Sequence, residues 1–188
     1  MITHMSGAEY TADWFSHNIP VWQAVVVPHL SCERLRWLEL GSYEGRSALW
    51  TLDNALTDPE DELVCVDMWW RPEVEARFDA NVGSRAKKVK KYIRSAMLDM
   101  IANGERYDCV YVDGDHDGAA TMEHGVLAWM LLKTGGILIF DDYEYAHPSQ
   151  DSIGKTPTRD GIDGFLSGYA TRLTVMHKAY QVIVRKRA

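Results

Sequence analysis

The chain reads as short apolar runs separated by stretches of helical spacing. Arg36 to Leu40, Leu63 to Val66, Cys109 to Val112 and Ile137 to Phe140 are brief runs rich in branched and aromatic side chains. Runs without polar alternation predict strands buried on both faces, the pattern of a parallel sheet. Val89 to Ile93 is a further candidate strand. Between these runs, Arg46 to Leu56 carries Leu49, Leu52 and Leu56 on one helical face. Pro72 to Val82 and Ala119 to Leu132 also read as helices, and Ser95 is placed to cap a helix from Met97 to Ala102. Thr134-Gly135-Gly136 is expected to end the longest helix.

Both ends of the chain depart from this rhythm. Leu173 to Met176 and Tyr180 to Val184 are β-prone with no helix between them, which predicts a closing antiparallel hairpin with its turn near His177-Lys178-Ala179. A Gly/Asp-rich segment of helix and loop, Asp151 to Gly168, precedes it. At the other end Thr11 is expected to cap a short helix through Phe15, Asn18-Ile19-Pro20 to break it, and Pro20 to open a second helix to about Val27. The expected architecture is α/β: a doubly wound, mostly parallel sheet in a single domain over residues 1–188. Residues 1–30 form its helical lead-in or lid, and 31–188 the sheet domain.

Composition narrows the class. At 188 residues, with 46% hydrophobic and 25% charged side chains, the chain is long enough for a substantial core and is not a disordered segment. A formal net charge of −7 argues against broad binding to nucleic acid or to anionic membrane. The basic run Arg85 to Arg94, with Lys87, Lys88, Lys90 and Lys91, is read as a solvated loop and edge strand. Cys32, Cys65 and Cys109 are too few and too scattered for a disulfide scaffold or a thiolate zinc site. No signal peptide and no membrane-spanning run is visible, so a cytoplasmic protein is expected.

In an open α/β sheet, ligands bind outside the carboxyl ends of the strands. The apolar runs here end in Gly41, Asp67, Asp113 and Asp141-Asp142. The turn Leu38 to Ser47 has G-x-x-x-G spacing at Gly41 and Gly45. That permits close backbone approach to a ligand, but it is neither the G-x-G-x-x-G of dinucleotide enzymes nor a P-loop, and a plain strand-to-helix turn reads the same way. Asp67 suits the two hydroxyls of a ribose, or else caps a loop. Met68 and either Trp69 or Trp70 would then cover an adenine face. Carboxylates gathered at neighbouring strand ends repel unless a cation joins them, and Asp113, Asp141 and Asp142 make the economical site for a hard divalent ion such as Mg²⁺. Asp115 and Asp117 read as loop or capping residues. His116, three residues beyond Asp113, is the candidate general base. The other histidines, His124 among them, receive no role.

Taken together, E-x-G-x-x-x-G-x-S, the acid after the second strand, D-G-D-H and F-D-D-Y resemble a class I S-adenosylmethionine-dependent methyltransferase. The nearest type is methyltransferase 24, whose relatives include the macrocin-type sugar O-methyltransferases and, more distantly, the catechol and caffeoyl-CoA O-methyltransferases. The resemblance spans about Arg36 to Val184 and touches the lead-in T-A-D-W-F-S-H-N-I-P. It implies a Rossmann-like, seven-stranded sheet with an antiparallel last strand. It implies that Glu39, Gly41 and Gly45 form the methionine-side pocket, and that Ser42, Tyr43 and Ser47 contact the amino-acid end of the cofactor. Asp67 would hold the ribose, and Ser95 and Ala96 would lie near the adenine edge. Mg²⁺ would sit on Asp113, Asp141 and Asp142, with His116 matching the macrocin-type histidine. Catechol-type relatives have Asn where this chain has Asp142. The implied reaction is O-methylation of a small sugar or phenolic hydroxyl, by an enzyme for which a homodimer is the family expectation. Tyr143, Glu144, Tyr145, His147 and Arg159 would line the acceptor side. The alternatives are a non-catalytic S-adenosylmethionine-binding partner protein, a nucleotide-dependent oxidoreductase and a nucleic-acid methyltransferase.

Overall fold

A computed structural model describes residues 2–3, 7–30, 34–145 and 154–187. Cys32 and His147 lie outside the described residues. Seven strands form one sheet: β1 (Arg36–Leu40), β2 (Glu62–Asp67), β3 (Lys87–Lys90), β4 (Tyr107–Val112), β5 (Leu132–Phe140), β6 (Leu173–Lys178) and β7 (Val182–Lys186). Their order is β3-β2-β1-β4-β5-β7-β6. Pairings from β3 through β5 are parallel, and β7 runs antiparallel to both β5 and β6. This is the α/β sheet with a terminal hairpin that the sequence predicts. The helices are α1 (Arg46–Asn54), α2 (Pro72–Asn81), α3 (Ile93–Ala102), α4 (Gly118–Leu131) and α5 (Thr158–Tyr169). No helix among the described residues is long and apolar enough to cross a membrane.

Successive strand residues point to opposite faces, and that alternation builds two cores. Leu38, Leu40, Val110, Val112, Leu138 and Phe140 pack on one face against α3, α4 and α5. Trp37, Cys65, Cys109, Tyr111, Ile137 and Ile139 pack on the other face, with residues of α1, α2 and the N-terminal helical run. That run is a full layer of the fold. Trp22 and Val26 are completely buried. The Trp22 ring meets Trp37, Trp50 and Tyr111 at centroid distances of 5.0–5.7 Å, and its Nε1 donates to Gln181 Oε1 at 2.7 Å.

Several local expectations are corrected. Thr11 caps no helix. Instead Asp13 accepts hydrogen bonds from the backbone of Phe15 and Ser16, and the helical turn that begins at Ser16 continues past Pro20 to His29. Pro20 does not break it, because it lies in the first turn of the α-helical stretch that starts at Ile19, where the missing N–H leaves no partner unpaired. Lys87–Lys90 form the third strand and Ile93 already starts α3, so Ser95 lies inside the first turn rather than capping it. β5 begins at Leu132. The Thr134-Gly135-Gly136 step is a bulge in the strand: Leu132 pairs with Tyr107, and Ile137 next with Cys109. The hairpin turns at Ala179–Gln181, where the Ala179 N–H donates to the Gln181 carbonyl.

The basic run is neutralised at the surface. Lys88 pairs with Glu75 and Asp79, Lys90 with Glu75, Lys91 with Asp99, Arg85 with Asp53 and Arg94 with Glu123. Exposed pairs of this kind add little stability.

Candidate active site

Strand order reverses between β1 and β4, so a crevice opens at their carboxyl ends. Ladder hydrogen bonds run one residue beyond the strands there. Gly41 N–H donates to Val66 O at 2.8 Å, Asp113 N–H to Leu40 O at 2.9 Å and Asp141 N–H to Val112 O at 3.0 Å. The predicted strand-end residues therefore share one rim.

The loop after β1 is wound tightly. Gly41, Tyr43 and Gly45 all have positive φ, at 92°, 45° and 81°. A Cβ on Gly41 would fall on the Asp113 carbonyl oxygen, so only glycine fits. Asp67 holds the loop: its Oδ2 accepts from Ser42 N–H at 3.1 Å and Tyr43 N–H at 2.9 Å, and its Oδ1 from Trp69 N–H at 2.8 Å. A carboxylate has about four lone-pair sites, so acceptor capacity is left for a ribose hydroxyl. The loop-capping and ribose readings of Asp67 are compatible. Glu44, which the sequence reading passed over, is buried and ties the N-terminal segment down. It accepts from Thr11 N–H at 2.7 Å and from Arg77 Nη1 at 2.8 Å.

Two cavities adjoin at Gly41. The larger, about 320 Å³, is bounded by Gly41, Asp67, Met68, Trp70, Tyr92, Ile93, Arg94, Gly114, Asp115 and His124. Trp69 is not on its wall. With φ at 42° its ring turns inward against Phe78, at 4.6 Å between centroids, and Nε1 donates to Tyr43 O. Trp70, 68% exposed and edge-on to Tyr92, takes the place expected of one of the pair. Ser95 and Ala96 do not reach the cavity either. Tyr92, Ile93 and Arg94 form that wall, and Ala96 is packed in the core. The smaller cavity, about 40 Å³, lies between Trp14, Phe15, Ser42, Tyr43, Arg46, Ser47 and Asp113. Glu39 sits on β1 and is fully buried. It accepts from Ser47 Oγ at 3.1 Å, and its Oε2 has no partner.

Burial pushes the Glu39 carboxyl up to about 7. A raised carboxyl stabilises the fold fully below its unfolded pKa, near 4.5, and that contribution is lost as pH rises through the folded value. The Glu39→Gln protein should therefore lose less stability than wild type between pH 5 and pH 8. The difference is expected to be on the order of 3 kcal/mol, read by urea unfolding at each pH. Identical slopes for the two proteins would refute the burial of an ionisable Glu39.

Asp113, His116 and Asp142 place one ligand atom each within 4.8 Å of one another. His116 Nε2 lies 2.8 Å from Asp142 Oδ2, and the Tyr180 hydroxyl donates to Asp142 Oδ1 at 2.7 Å. The hydrogen bond to Asp142 raises the His116 pKa against the effect of burial. Burial would raise Asp142, but the bonds from His116 and Tyr180 outweigh it and its pKa is lowered. Asp141 is placed otherwise than the metal-ligand expectation had it. It shares the sheet face of Ile137 and Ile139, is buried, and bonds to the Tyr111 hydroxyl. The same hydroxyl lies 2.9 Å from Asp113 Oδ2. One hydroxyl proton cannot serve two carboxylates. Burial and mutual repulsion accordingly push Asp113 well up and Asp141 up to about 6. Tyr111 was legible by parity, two residues before Asp113 on the same face. Tyr180 carried no signal. Asp117 caps α4, as read, accepting from Ala119 N–H at 2.8 Å.

The comparisons agree with this geometry. A family model described as a methyltransferase domain, of the methyltransferase 24 type, matches residues 38–143. Protein R132 of Acanthamoeba polyphaga mimivirus is 26% identical over 120 residues, 58% of this chain and 52% of that protein, so the chain spans about half the length of this curated relative. Among solved structures, an O-methyltransferase from Bacillus cereus in complex with S-adenosylhomocysteine aligns with a TM-score of 0.72 at 15% identity. The alignment covers 95% of this chain and 84% of that one. The MycE methyltransferase of mycinamycin biosynthesis, in complex with Mg, S-adenosylhomocysteine and mycinamycin VI, aligns at 0.66 and 16% identity, covering 94% and 51%. With the family model matching more than half of its length and the strand-end glycines and carboxylates on one rim, the chain belongs to the methyltransferase 24 family of class I methyltransferase domains.

Proposed function

We propose that the chain is an S-adenosylmethionine-dependent O-methyltransferase acting on a hydroxyl of a small molecule, a sugar or a phenol. The observation that carries this reading is the adjacency at Gly41. It borders both cavities, and Asp113, a member of the acid–histidine cluster, borders the smaller one. The residues fit the donor: a glycine cradle that a Cβ would fill, an unpartnered Glu39 oxygen and an Asp67 carboxylate with spare acceptor capacity. S-adenosylmethionine supplies a methyl group on a sulfonium, which needs an in-line nucleophile. Hard divalent ions prefer oxygen ligands, which points to Asp113 and Asp142 as the residues that would hold one, and such an ion supplies Lewis-acid chemistry that lowers the pKa of a hydroxyl.

The imidazole is then left for the proton. Asp142 steadies His116 at Nε2, the arrangement in which a carboxylate supports an imidazole as it accepts a proton. Tyr180 fixes Asp142, and Tyr111 with Asp141 fixes Asp113 from beneath. The Tyr145 ring, 4.6 Å from His116, borders the acceptor side. The O-methyltransferase from Bacillus cereus supports an oxygen acceptor by analogy, and the MycE complex with Mg supports a divalent ion.

The test is calorimetric titration with S-adenosylhomocysteine, followed by methyl-transfer assays over sugars and phenols with Mg²⁺ or with EDTA. Saturable binding and transfer to a hydroxyl are expected, with turnover rising as pH passes a midpoint above 6.5, the direction in which His116 is shifted. No binding by wild type would end the methyltransferase reading. Binding without transfer to any acceptor would favour the non-catalytic alternative.

A further inference from the structure

The smaller cavity has room for about three waters, which suits a charged head group and not a ring. Its wall carries both signs. Asp113 and Glu44 are the carboxylates, and Glu44 is already held by Thr11 and Arg77. Arg46 is the cation, at the first position of α1. Its guanidinium is held in place. Nε donates to Asp13 Oδ2 at 3.3 Å and Nη2 to Ser16 Oγ at 2.6 Å, while the rings of Phe15 and Tyr10 lie 5.6 and 5.8 Å from Cζ. A guanidinium has donors to spare beyond these two bonds. Nη1 makes no hydrogen bond among the described residues, and it is not enclosed: it keeps accessible surface although the side chain as a whole is only 16% exposed.

Two neighbours leave this position to an anion. Ser47, next in α1, has a single hydroxyl proton, and that proton goes to Glu39 Oε1. Gly45 places no capping side chain over the first N–H groups of α1, so the positive end of the helix dipole stands uncapped beside the guanidinium. The amino-acid end of S-adenosylmethionine is a zwitterion, and a cavity with Asp113 and Arg46 on its wall matches it sign for sign. We propose that Arg46 reads the α-carboxylate of the donor, with Nη1 donating to it. This rests on the S-adenosylmethionine reading above and adds to it a residue that selects donors with an intact carboxylate. The same guanidinium ties Asp13 and Ser16 of the N-terminal run to α1, so the test has to separate the two roles.

The test compares S-adenosylhomocysteine with its decarboxylated analogue, in which hydrogen replaces the α-carboxylate. Both are titrated calorimetrically into wild type, Arg46→Gln, Arg46→Lys and Asp13→Asn. Wild type is expected to prefer S-adenosylhomocysteine by about tenfold or more, the effect of one charge-assisted hydrogen bond. Arg46→Gln should bind S-adenosylhomocysteine about tenfold more weakly, bind the analogue as wild type does, and so lose the preference. Arg46→Lys keeps the charge without the planar fork and should fall between the two. Asp13→Asn loosens the same tie to the N-terminal run but leaves the guanidinium, so it should keep the preference. The last two variants keep the proposal testable should Arg46→Gln fail to fold. No preference in wild type, a full preference in Arg46→Gln, or a lost preference in Asp13→Asn would each overturn it. If wild type binds neither compound, the donor reading itself fails; if it binds both equally, that reading stands and only the role of Arg46 falls.

Discussion

Asp142→Asn should lower turnover by about 10²–10⁴-fold while leaving S-adenosylhomocysteine affinity within about threefold of wild type. Asp142 has φ at 60°, a conformation that asparagine tolerates as well as aspartate, so the backbone should be preserved. What changes is the charge beside His116 Nε2 and the carboxylate that would face a cation. The larger cavity does not include Asp142, so donor binding should survive. Proton titration supplies a second readout. The paired His116 has a raised pKa, so its contribution to stability is complete below about 6.5 and disappears as pH rises through the folded value. Asp142 has a lowered pKa, so its contribution is present above about 3.8 and disappears as pH falls through the folded value. The pair thus supports the fold fully between those limits, and the Asn variant should lack the losses that wild type shows above about 6.5 and below about 3.8. The His116 NMR titration midpoint should move down in the variant. An unchanged midpoint together with full turnover would show that the pair has no part in the reaction.

Gly41→Ala should be among the most damaging small substitutions at the described residues. At φ 92° a Cβ is strained, and here it would also overlap the Asp113 carbonyl oxygen, with the Asp113 carbonyl carbon and Gly114 Cα close behind. Backbone cannot rotate aside as a side chain can, so β1 and β4 must separate at their carboxyl ends. A loss of about 3–5 kcal/mol is expected, at the severe end for single substitutions. Binding of S-adenosylhomocysteine should fall by more than 100-fold, because Gly41 borders both cavities. Urea unfolding and calorimetry check the two effects separately. A variant with wild-type stability and affinity would mean that the two strands do not approach as described. The neighbouring Gly114 faces the flexible end of Ile93 instead, so Gly114→Ala should be milder.

How far the site could be read in advance depended on which physical rule governed each residue. Gly41, Asp67, Asp113 and Asp141 were legible because buried strands show as apolar runs, and ligands gather where such runs end. The inward turn of Asp141 was also present in the sequence, since Ile137, Ile139 and Asp141 share one parity, and that face is covered by the N-terminal run. Trp69 and Trp70 could not be separated by pattern. Their placement follows from a left-handed residue at Trp69, which no local composition announces. The placement of Ser95 failed for a different reason: α3 starts two residues before it, at Ile93, so a residue read as preceding the helix lies within its first turn. Tyr180 reaches Asp142 from a hairpin 38 residues away, a contact that only tertiary structure creates.

The bond from Trp22 to Gln181 joins positions 159 residues apart, and it lies beneath the acid–histidine cluster rather than at the periphery. Tyr180, beside it, is the support of Asp142. During synthesis Asp142 is made well before the hairpin residue that braces it. Until the last strand has emerged from the ribosome, Trp22 lacks its polar partner and Asp142 lacks its brace. The supports of the cluster therefore come together only through contacts between distant parts of the chain, the kind of pairing that slows folding.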